Sequence, residues 1–311
     1  MRTKTSRRGF LGSLSAAALL PAGALSALPR LTFAAGKPLA SESLGDGVLW
    51  IRGAGANLLA LKDGANLVFI DGGLKANSAD VLKLAQQELG AGKASALINT
   101  HWHAEHTGLN EVLGKQGAKI IAHEQTRLWL STKVRYQPDD APILPLPLIA
   151  RPNQTTWTGG ELKAGAETLS YGYLSQAHTD GDLYIKLVKA NVLVTGGVVA
   201  GNGWPTPDWV TGGWINGTVA GYRALITQCD ASTKVVTAYG ERLYSRADLQ
   251  AELDILTKVS ADLGKMMRAG FGPEDVLNAN PAKDYAAKMG DPAHFLVESF
   301  KSMWPRNAPD A

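Results

Sequence analysis

Short apolar runs flanked by polar residues predict strands in the first part of the chain. Three such runs lie at Val48–Arg52, Asn57–Lys62 and Asn66–Asp71, and Gly72-Gly73 closes the last of them. Apolar residues then recur near a 3.6-residue period over Ser78–Leu89, which predicts a helix. The chain therefore begins with hairpin-like strands before its first helix.

Strands alternate with helices in the rest of the chain. Further strands are predicted at Ala94–Thr100, Ala118–Ala122, Glu167–Ser175, Leu183–Val188, Asn191–Thr195 and Lys234–Thr237. Helices are predicted at Glu124–Ser131, Thr218–Cys229, Arg246–Arg268, Pro273–Leu277 and near Ala282–Lys288. Early hairpins followed by alternating strands and helices indicate a mixed α/β (α+β) fold with two sheets covered by helices, a four-layer αββα sandwich.

The first 35 residues have the composition of an export signal. Met1–Arg8 holds four basic residues and no acid, an apolar stretch follows, and Ala34-Ala35 offers a cleavage site. Ser6-Arg7-Arg8-Gly9-Phe10-Leu11 resembles a twin-arginine signal, which predicts a periplasmic or secreted protein. An uncleaved membrane anchor is the alternative, disfavoured by the glycines and the proline of the apolar stretch. The prediction is a signal in residues 1–35 and one domain in residues 36–311, with a helical segment from about residue 246.

Removing this signal changes the charge of the chain. The full sequence of 311 residues has a net charge of +3, with 31 basic and 28 acidic residues. Residues 1–35 contain five of the basic residues and no acid, so the remainder has 26 basic against 28 acidic residues, a net charge of −2. This balance gives no support for nucleic-acid binding. Cys229 is the only cysteine, which excludes a disulfide framework.

A histidine cluster follows the strand predicted at Ala94–Thr100. Three of the six histidines, His101, His103 and His106, fall within six positions. Imidazole nitrogens two residues apart on a turn can reach one metal ion, and Zn²⁺ favours this donor. A solvated histidine-rich loop is the alternative interpretation. His178 follows another predicted strand and is a candidate for the third ligand that such a site needs from elsewhere in the chain.

These segments resemble the metallo-β-lactamase superfamily, in particular its stand-alone hydrolases. The matching segments are Asp71-Gly72-Gly73, Asn99-Thr100-His101, the run to His106, and Ala177-His178-Thr179-Asp180-Gly181-Asp182. The family pattern is His-x-His-x-Asp-His, a distant histidine, a bridging aspartate and a last histidine. The resemblance extends from Gly47 to about Leu243 and implies an αββα sandwich with a metal site at its rim.

The resemblance also implies roles for individual residues. His101, His103 and His178 occupy the positions that bind the first zinc, and His106 occupies a position of the second. Glu105 stands where the family has aspartate. The carboxylate of Glu105 would act as general base on a water or orient it.

Two positions depart from the family pattern more severely. Gly197 stands at the bridging aspartate, and Tyr239 stands at the last histidine. Glycine offers no ligand, and a phenol with a pKa near ~10 is a poor one at neutral pH. One zinc is therefore expected rather than two. Tyr239 would instead donate a hydrogen bond to a developing oxyanion or protonate a leaving group.

The predicted function is an exported zinc-dependent hydrolase of a small ester, lactone, amide or thioester, acting through a zinc-bound hydroxide. A catalytically silent binding or accessory protein of the same fold is the main alternative, since it would also lose the bridging acid and last histidine. Iron-dependent oxygen chemistry is a third, supported only by the histidines. The expected partner is a small-molecule substrate, without nucleic acid or a stable membrane span, and a homo-oligomer is compatible with the sequence.

Two further features leave alternatives open. Trp204, Trp209 and Trp214 lie in a glycine-rich stretch after the strand that lacks the bridging aspartate. They would either line a pocket for an apolar substrate or pack this stretch onto the body of the protein. His123 precedes a predicted helix and is interpreted as a helix-start residue or a support for a ligand, rather than as a ligand.

Overall fold

Two β-sheets packed face to face form the centre of the protein. The computed structural model describes residues 38–307, which belong to one compact unit. The predicted export signal in residues 1–35 lies outside the described residues.

The first sheet contains seven strands in sequence order. They are β1 (Ala40–Gly45), β2 (Val48–Arg52), β3 (Leu58–Asp63), β4 (Asn66–Ile70), β5 (Ala94–Ile98), β6 (Lys119–His123) and β7 (Gln154–Thr156). Strands β1 to β4 are antiparallel, whereas β4 to β7 are parallel. Ile70 pairs with Ile98, and Ile98 with Ile121, so the carboxyl ends of the parallel strands lie at one edge.

The second sheet contains five strands and is mostly antiparallel. They are β8 (Gly159–Ala164), β9 (Glu167–Leu174), β10 (Asp182–Leu187), β11 (Val192–Val194) and β12 (Lys234–Val236), in the order β12-β11-β10-β9-β8. Only β11 and β12 are parallel to each other.

Helices cover the outer faces of both sheets. They are α1 (Ser78–Leu89), α2 (Asn110–Lys115), α3 (Glu124–Ser131), α4 (Ile215–Thr227), α5 (Arg246–Arg268), α6 (Pro273–Ala279), α7 (Ala286–Met289) and α8 (Ala293–Asn307). Across residues 38–307, every helix is too short or too polar to cross a membrane.

Three hydrophobic layers hold the sheets and helices together. Trp50 and Ile98 of the first sheet pack with Ile185 and Val236 of the second. On the outside of the first sheet, Phe69 and Leu97 pack with α1 and α2. On the outside of the second, Leu193 and Val235 pack with α4, α5 and α8. The predicted αββα sandwich is confirmed.

Several elements were not predicted from the sequence pattern. Strands β1 and β8 are largely exposed, so they lack the apolar alternation of a half-buried strand. Helix α2 has six residues and lies between two predicted strands, where the sequence pattern predicts no helix. Helix α8 follows a segment predicted as helical near Ala282–Lys288, where the chain forms a 3-10 turn leading into the short α7. Helix α4 begins at Ile215, three residues before the predicted start.

Candidate metal centre

The candidate site lies at the edge where β4 and β5 end. The backbone N–H of Asp71, directly after β4, donates to the carbonyl of Ile98 at 2.8 Å, which places Asp71 beside the histidine loop. Asp71 adopts a left-handed φ of 60°, which aspartate tolerates better than most residues. At the next position a Cβ would lie 2.6 Å from the backbone nitrogen of Leu109, so only glycine fits at Gly72.

The histidine loop is closed by a pair of buried asparagines. Asn99 directly follows β5, and Asn110 is the first residue of α2. Their side-chain amides exchange two hydrogen bonds of 3.0 and 2.9 Å. This pairing joins the two ends of the loop, so the histidines between them project from a fixed backbone.

The structure brings His101, His103 and His178 together. Their potential ligand atoms all lie within 4.8 Å of one another, and Nε2 of His178 lies 3.1 Å from Nδ1 of His103. His101 is fully buried, whereas His103 and His178 are partly exposed. The open side of the cluster therefore faces His103 and His178.

Hydrogen bonds determine which nitrogen of His101 and of His178 keeps its lone pair. The hydroxyl of Thr100 donates to Asp71 at 2.8 Å, so it can only accept a proton from Nδ1 of His101 at 3.0 Å. The carbonyl of Thr206 likewise accepts from Nδ1 of His178 at 2.9 Å. In both rings the lone pair is therefore on Nε2.

His103 differs from these two rings, because its lone pair is on Nδ1. Nε2 of His103 donates to the Asp208 carboxylate at 2.9 Å, which leaves Nδ1 directed at Nε2 of His178. Two lone pairs at this separation repel each other unless a proton or a metal cation lies between them. Nε2 of His101 is buried and has no hydrogen-bond partner in the protein. This set of three imidazole lone pairs fits a divalent metal such as Zn²⁺.

The surroundings displace the pKa values of the three rings in different directions. Burial, followed by repulsion from the neighbouring histidines, lowers the pKa of His101 well below its ordinary value. Burial and the charge of His103 lower the pKa of His178 to about 3. Burial also acts to lower the pKa of His103, but its hydrogen bond to Asp208 and the charge of Glu105 outweigh it and raise the pKa. His101 and His178 are therefore kept neutral, the form that binds metals.

His106 lies behind the three-histidine cluster. Its ring centroid is 4.2 Å from that of His101, and its Nδ1 donates to Asp71 at 2.8 Å. Its Nε2 is buried without a protein partner. Asp71 thus supports His106 directly and His101 through Thr100.

Glu105 and Tyr239 form a hydrogen-bonded pair beside the three histidines. The Tyr239 hydroxyl donates to Oε1 of Glu105 at 3.0 Å, and the same oxygen lies 3.9 Å from Nδ1 of His103. Burial raises the pKa of Glu105, but the charges of His103 and His106 and the hydrogen bonds outweigh it, so the net pKa is lowered. Burial and the Glu105 charge raise the pKa of Tyr239 well above its ordinary value. The pair is therefore a carboxylate with a neutral phenol.

Gly197 leaves no room for the family's bridging acid. A Cβ at this position would lie 2.3 Å from Cδ2 and 2.7 Å from Nε2 of His178. The ring of His178 thus occupies the space that a side chain at this position would need.

Sequence reasoning missed two residues that support His103. The Asp208 carboxylate also accepts from the hydroxyls of Thr211 at 2.6 Å and of Tyr136 at 2.9 Å. Tyr136 belongs to the proline-rich segment after α3, and its hydroxyl lies 3.4 Å from Nε2 of His103. The sequence offers one signal for Asp208, which is the only acidic residue in the glycine-rich stretch that contains the three tryptophans.

The tryptophans of that stretch pack it onto the body of the protein. Trp204 stacks on Phe295 with ring centroids 4.6 Å apart, and its Nε1 donates to the carbonyl of Gly290. Nε1 of Trp209 donates to Glu298 at 2.8 Å. Because these contacts attach the stretch to α8 and the segment before it, Asp208 is held against His103.

His123 is the N-cap of α3, as predicted. Its Nδ1 accepts from the backbone N–H of Gln125 at 3.2 Å, and its Nε2 donates to the carbonyl of Trp157 at 3.2 Å. The ring stacks on Tyr173 with centroids 4.1 Å apart. Both nitrogens are therefore used within the fold.

Comparison with known proteins agrees with this fold. The family model of the metallo-β-lactamase superfamily matches residues 52–258. Among solved structures, a metallo-β-lactamase from Pontibacter korlensis has a TM-score of 0.58 at 16% identity and covers 71% of this chain and 99% of its own. One from Hirschia baltica has a TM-score of 0.56 at 17% identity, covering 71% and 98%. No curated protein matches the chain significantly. Because the family model covers more than half of the sequence, this chain belongs to the metallo-β-lactamase superfamily.

Proposed function

We propose that this protein is an exported metal-dependent hydrolase that cleaves a small ester, lactone, amide or thioester with one zinc bound by His101, His103 and His178. The observation that carries the proposal is the convergence of three imidazole lone pairs, with Nε2 of His101 buried and without a protein partner. Such a donor set leaves the fourth position of a tetrahedral metal open to a reactant.

Zinc in such a site supplies Lewis acidity, which lowers the pKa of a coordinated water from about 15.7 to about 7. The protein's own contribution is to keep the ligands neutral and oriented. Asp208 accepts from His103, Asp71 supports His101 through Thr100, and the Thr206 carbonyl accepts from His178. Such partners fix the ring orientations and increase the basicity of the ligands.

Glu105 is the general base in this proposal. It is 7% exposed, and its lowered pKa keeps the carboxylate ionised and able to accept a proton from the attacking water. Tyr239 is the proton donor. Because its pKa is raised, the phenol stays protonated, so it can stabilise a developing oxyanion or protonate the leaving group. The neutral phenol also supports one metal ion rather than two.

A catalytically silent binding protein is the second candidate. Its support is the missing bridging acid at Gly197, where a Cβ would clash with His178, because a non-catalytic member of the fold would also lack that acid. The two candidates share the metal but differ in turnover.

Elemental analysis of the mature protein, purified without chelator or nickel affinity, tests the proposal. We expect about one zinc per chain, lost in His101→Ala, and chelator-sensitive turnover in a panel of esters, lactones, amides and thioesters. Zinc without turnover in the whole panel would favour the silent protein. No metal after zinc is resupplied would overturn the hydrolase.

A further inference from the structure

Buried carboxylates surround the histidines. Asp71, Glu105 and Asp208 are each less than a tenth exposed and lie within 4 Å of a ring nitrogen of His103 or His106. Asp71 accepts three hydrogen bonds, from the N–H and hydroxyl of Thr100 and from His106. Asp208 accepts from His103, Thr211 and Tyr136. Three carboxylates thus lie beside the histidines.

Cationic side chains form their ion pairs elsewhere. Among residues 38–305, lysine and arginine pair with Glu42, Glu111, Glu124, Asp248, Asp262 and Glu298. None of these acids belongs to the site. With a divalent metal in place, the three carboxylates still exceed its charge by one unit, and no described ion pair brings a lysine or arginine to them.

The wall beside His103 is apolar. The ring of Trp102 lies 4.8 Å from that of His103 and belongs to a cluster with Leu130 and Val134. Partly exposed side chains pack on this cluster, namely Trp129, Tyr136, Leu146 and Val210. These residues offer a substrate apolar contact but no cation.

We infer that the site accepts a neutral or cationic substrate with an apolar group and discriminates against substrates that carry a carboxylate beside the scissile bond. This inference rests on the proposed function and names its substrate class. An anion bound here would meet three carboxylates whose charge a divalent metal only partly offsets, at a low local dielectric where electrostatic repulsion is strong. Penicillins and cephalosporins carry such a carboxylate, so they are expected to be poor substrates.

Thiol binding to the cobalt-substituted protein tests the inference without requiring turnover. The probes are 3-mercaptopropionate and its methyl ester, which share a carbon chain and differ by one charge. Sulfur-to-cobalt absorption reports binding, and affinities are corrected for thiol ionisation. We expect the ester to bind at least about tenfold more tightly than the acid.

A matched pair of variants controls for charge at the site. Val210→Lys places a cation on the apolar wall, and we expect it to lower the ratio of ester affinity to acid affinity. Val188→Lys adds the same charge at a half-exposed position after β10, roughly 20 Å along the strand from its site end, and should leave the ratio unchanged.

The outcomes separate the two proposals. Equal or tighter binding of the acid by the unmodified protein overturns the inference and leaves the metal site standing. A ratio that Val188→Lys changes as much as Val210→Lys also overturns it. A protein that binds no cobalt overturns the proposed function and this inference together.

Discussion

Tyr239 donates a 3.0 Å hydrogen bond to Glu105 at the positions where the family pattern has a histidine and an aspartate. The hydroxyl and the carboxylate therefore bond to each other instead of presenting two free metal ligands. A phenol with a raised pKa is a proton donor, and the carboxylate beside it is an acceptor. In the proposed function, Glu105 and Tyr239 act as an acid–base pair beside the three histidines, in place of the family's second metal site.

Tyr239→Phe removes the hydroxyl and keeps the ring. We expect the zinc content to stay at one per chain and kcat to fall by about a hundredfold to a thousandfold on the best substrate of the panel, because one stabilising donor is lost. Tyr184→Phe, at a half-buried tyrosine of β10, is the matched control. A fall in zinc content would contradict this prediction, since it would make Tyr239 a ligand.

Asp208→Asn keeps a hydrogen-bond acceptor for His103 but removes the negative charge. We expect zinc affinity to fall by about tenfold to a hundredfold, the usual effect of changing a residue that supports a ligand. Competition with a chromogenic chelator measures the affinity. Asp80→Asn, on the exposed face of α1, should bind zinc like the unmodified protein. A change of less than about twofold in Asp208→Asn would show that His103 is oriented without this charge.

Gly197→Asp restores the residue type of the family's bridging position. We expect it to weaken zinc binding and add no second metal, because the new Cβ would lie 2.3 Å from the ring of His178 and displace it. Gly92→Ala, whose Cβ would meet its nearest neighbour at 3.7 Å, controls for glycine replacement. Two zinc ions per chain in Gly197→Asp would refute the steric argument.

His123→Asn keeps an N-cap acceptor for α3 and removes a titrating group. Burial lowers the pKa of His123 in the folded protein, so its contribution to stability is present above the unfolded value of about 6.5 and is lost as the pH falls through the folded pKa. A protonated ring cannot accept from Gln125.

Chemical denaturation between pH 5 and pH 8 measures this effect. We expect the free energy of unfolding of His123→Asn to depend less steeply on pH than that of the unmodified protein. Its absolute stability is expected to be lower throughout, because the stacking on Tyr173 is lost. Parallel pH curves for the two proteins would rule out His123 as the titrating group.

Helix α5 and strand β2 could be predicted to the residue, because α5 carries a helical apolar periodicity and β2 is a short apolar run that ends at a charged residue. The Ser245 capping box fixes the start of α5. Helix α8 and strand β8 could not be predicted, because their boundaries depend on what packs against them. The histidine spacing likewise indicated candidate ligands, since His101 and His103 are only two residues apart in the sequence.

The sequence by itself therefore determined the αββα sandwich, the histidines and the departures at Glu105, Gly197 and Tyr239, all of which are properties of local pattern. Only the tertiary structure decided that Asp208 and Tyr136 support His103, that His178 fills the space at Gly197, and that the ion pairs described in residues 38–305 bring no lysine or arginine to the carboxylates at the site. These relationships join residues that are 19 to 105 positions apart, as in His178–Gly197 and His103–Asp208. The physical reason is that hydrogen-bond direction and electrostatic environment are set by distant chain segments meeting in space, which no local pattern records.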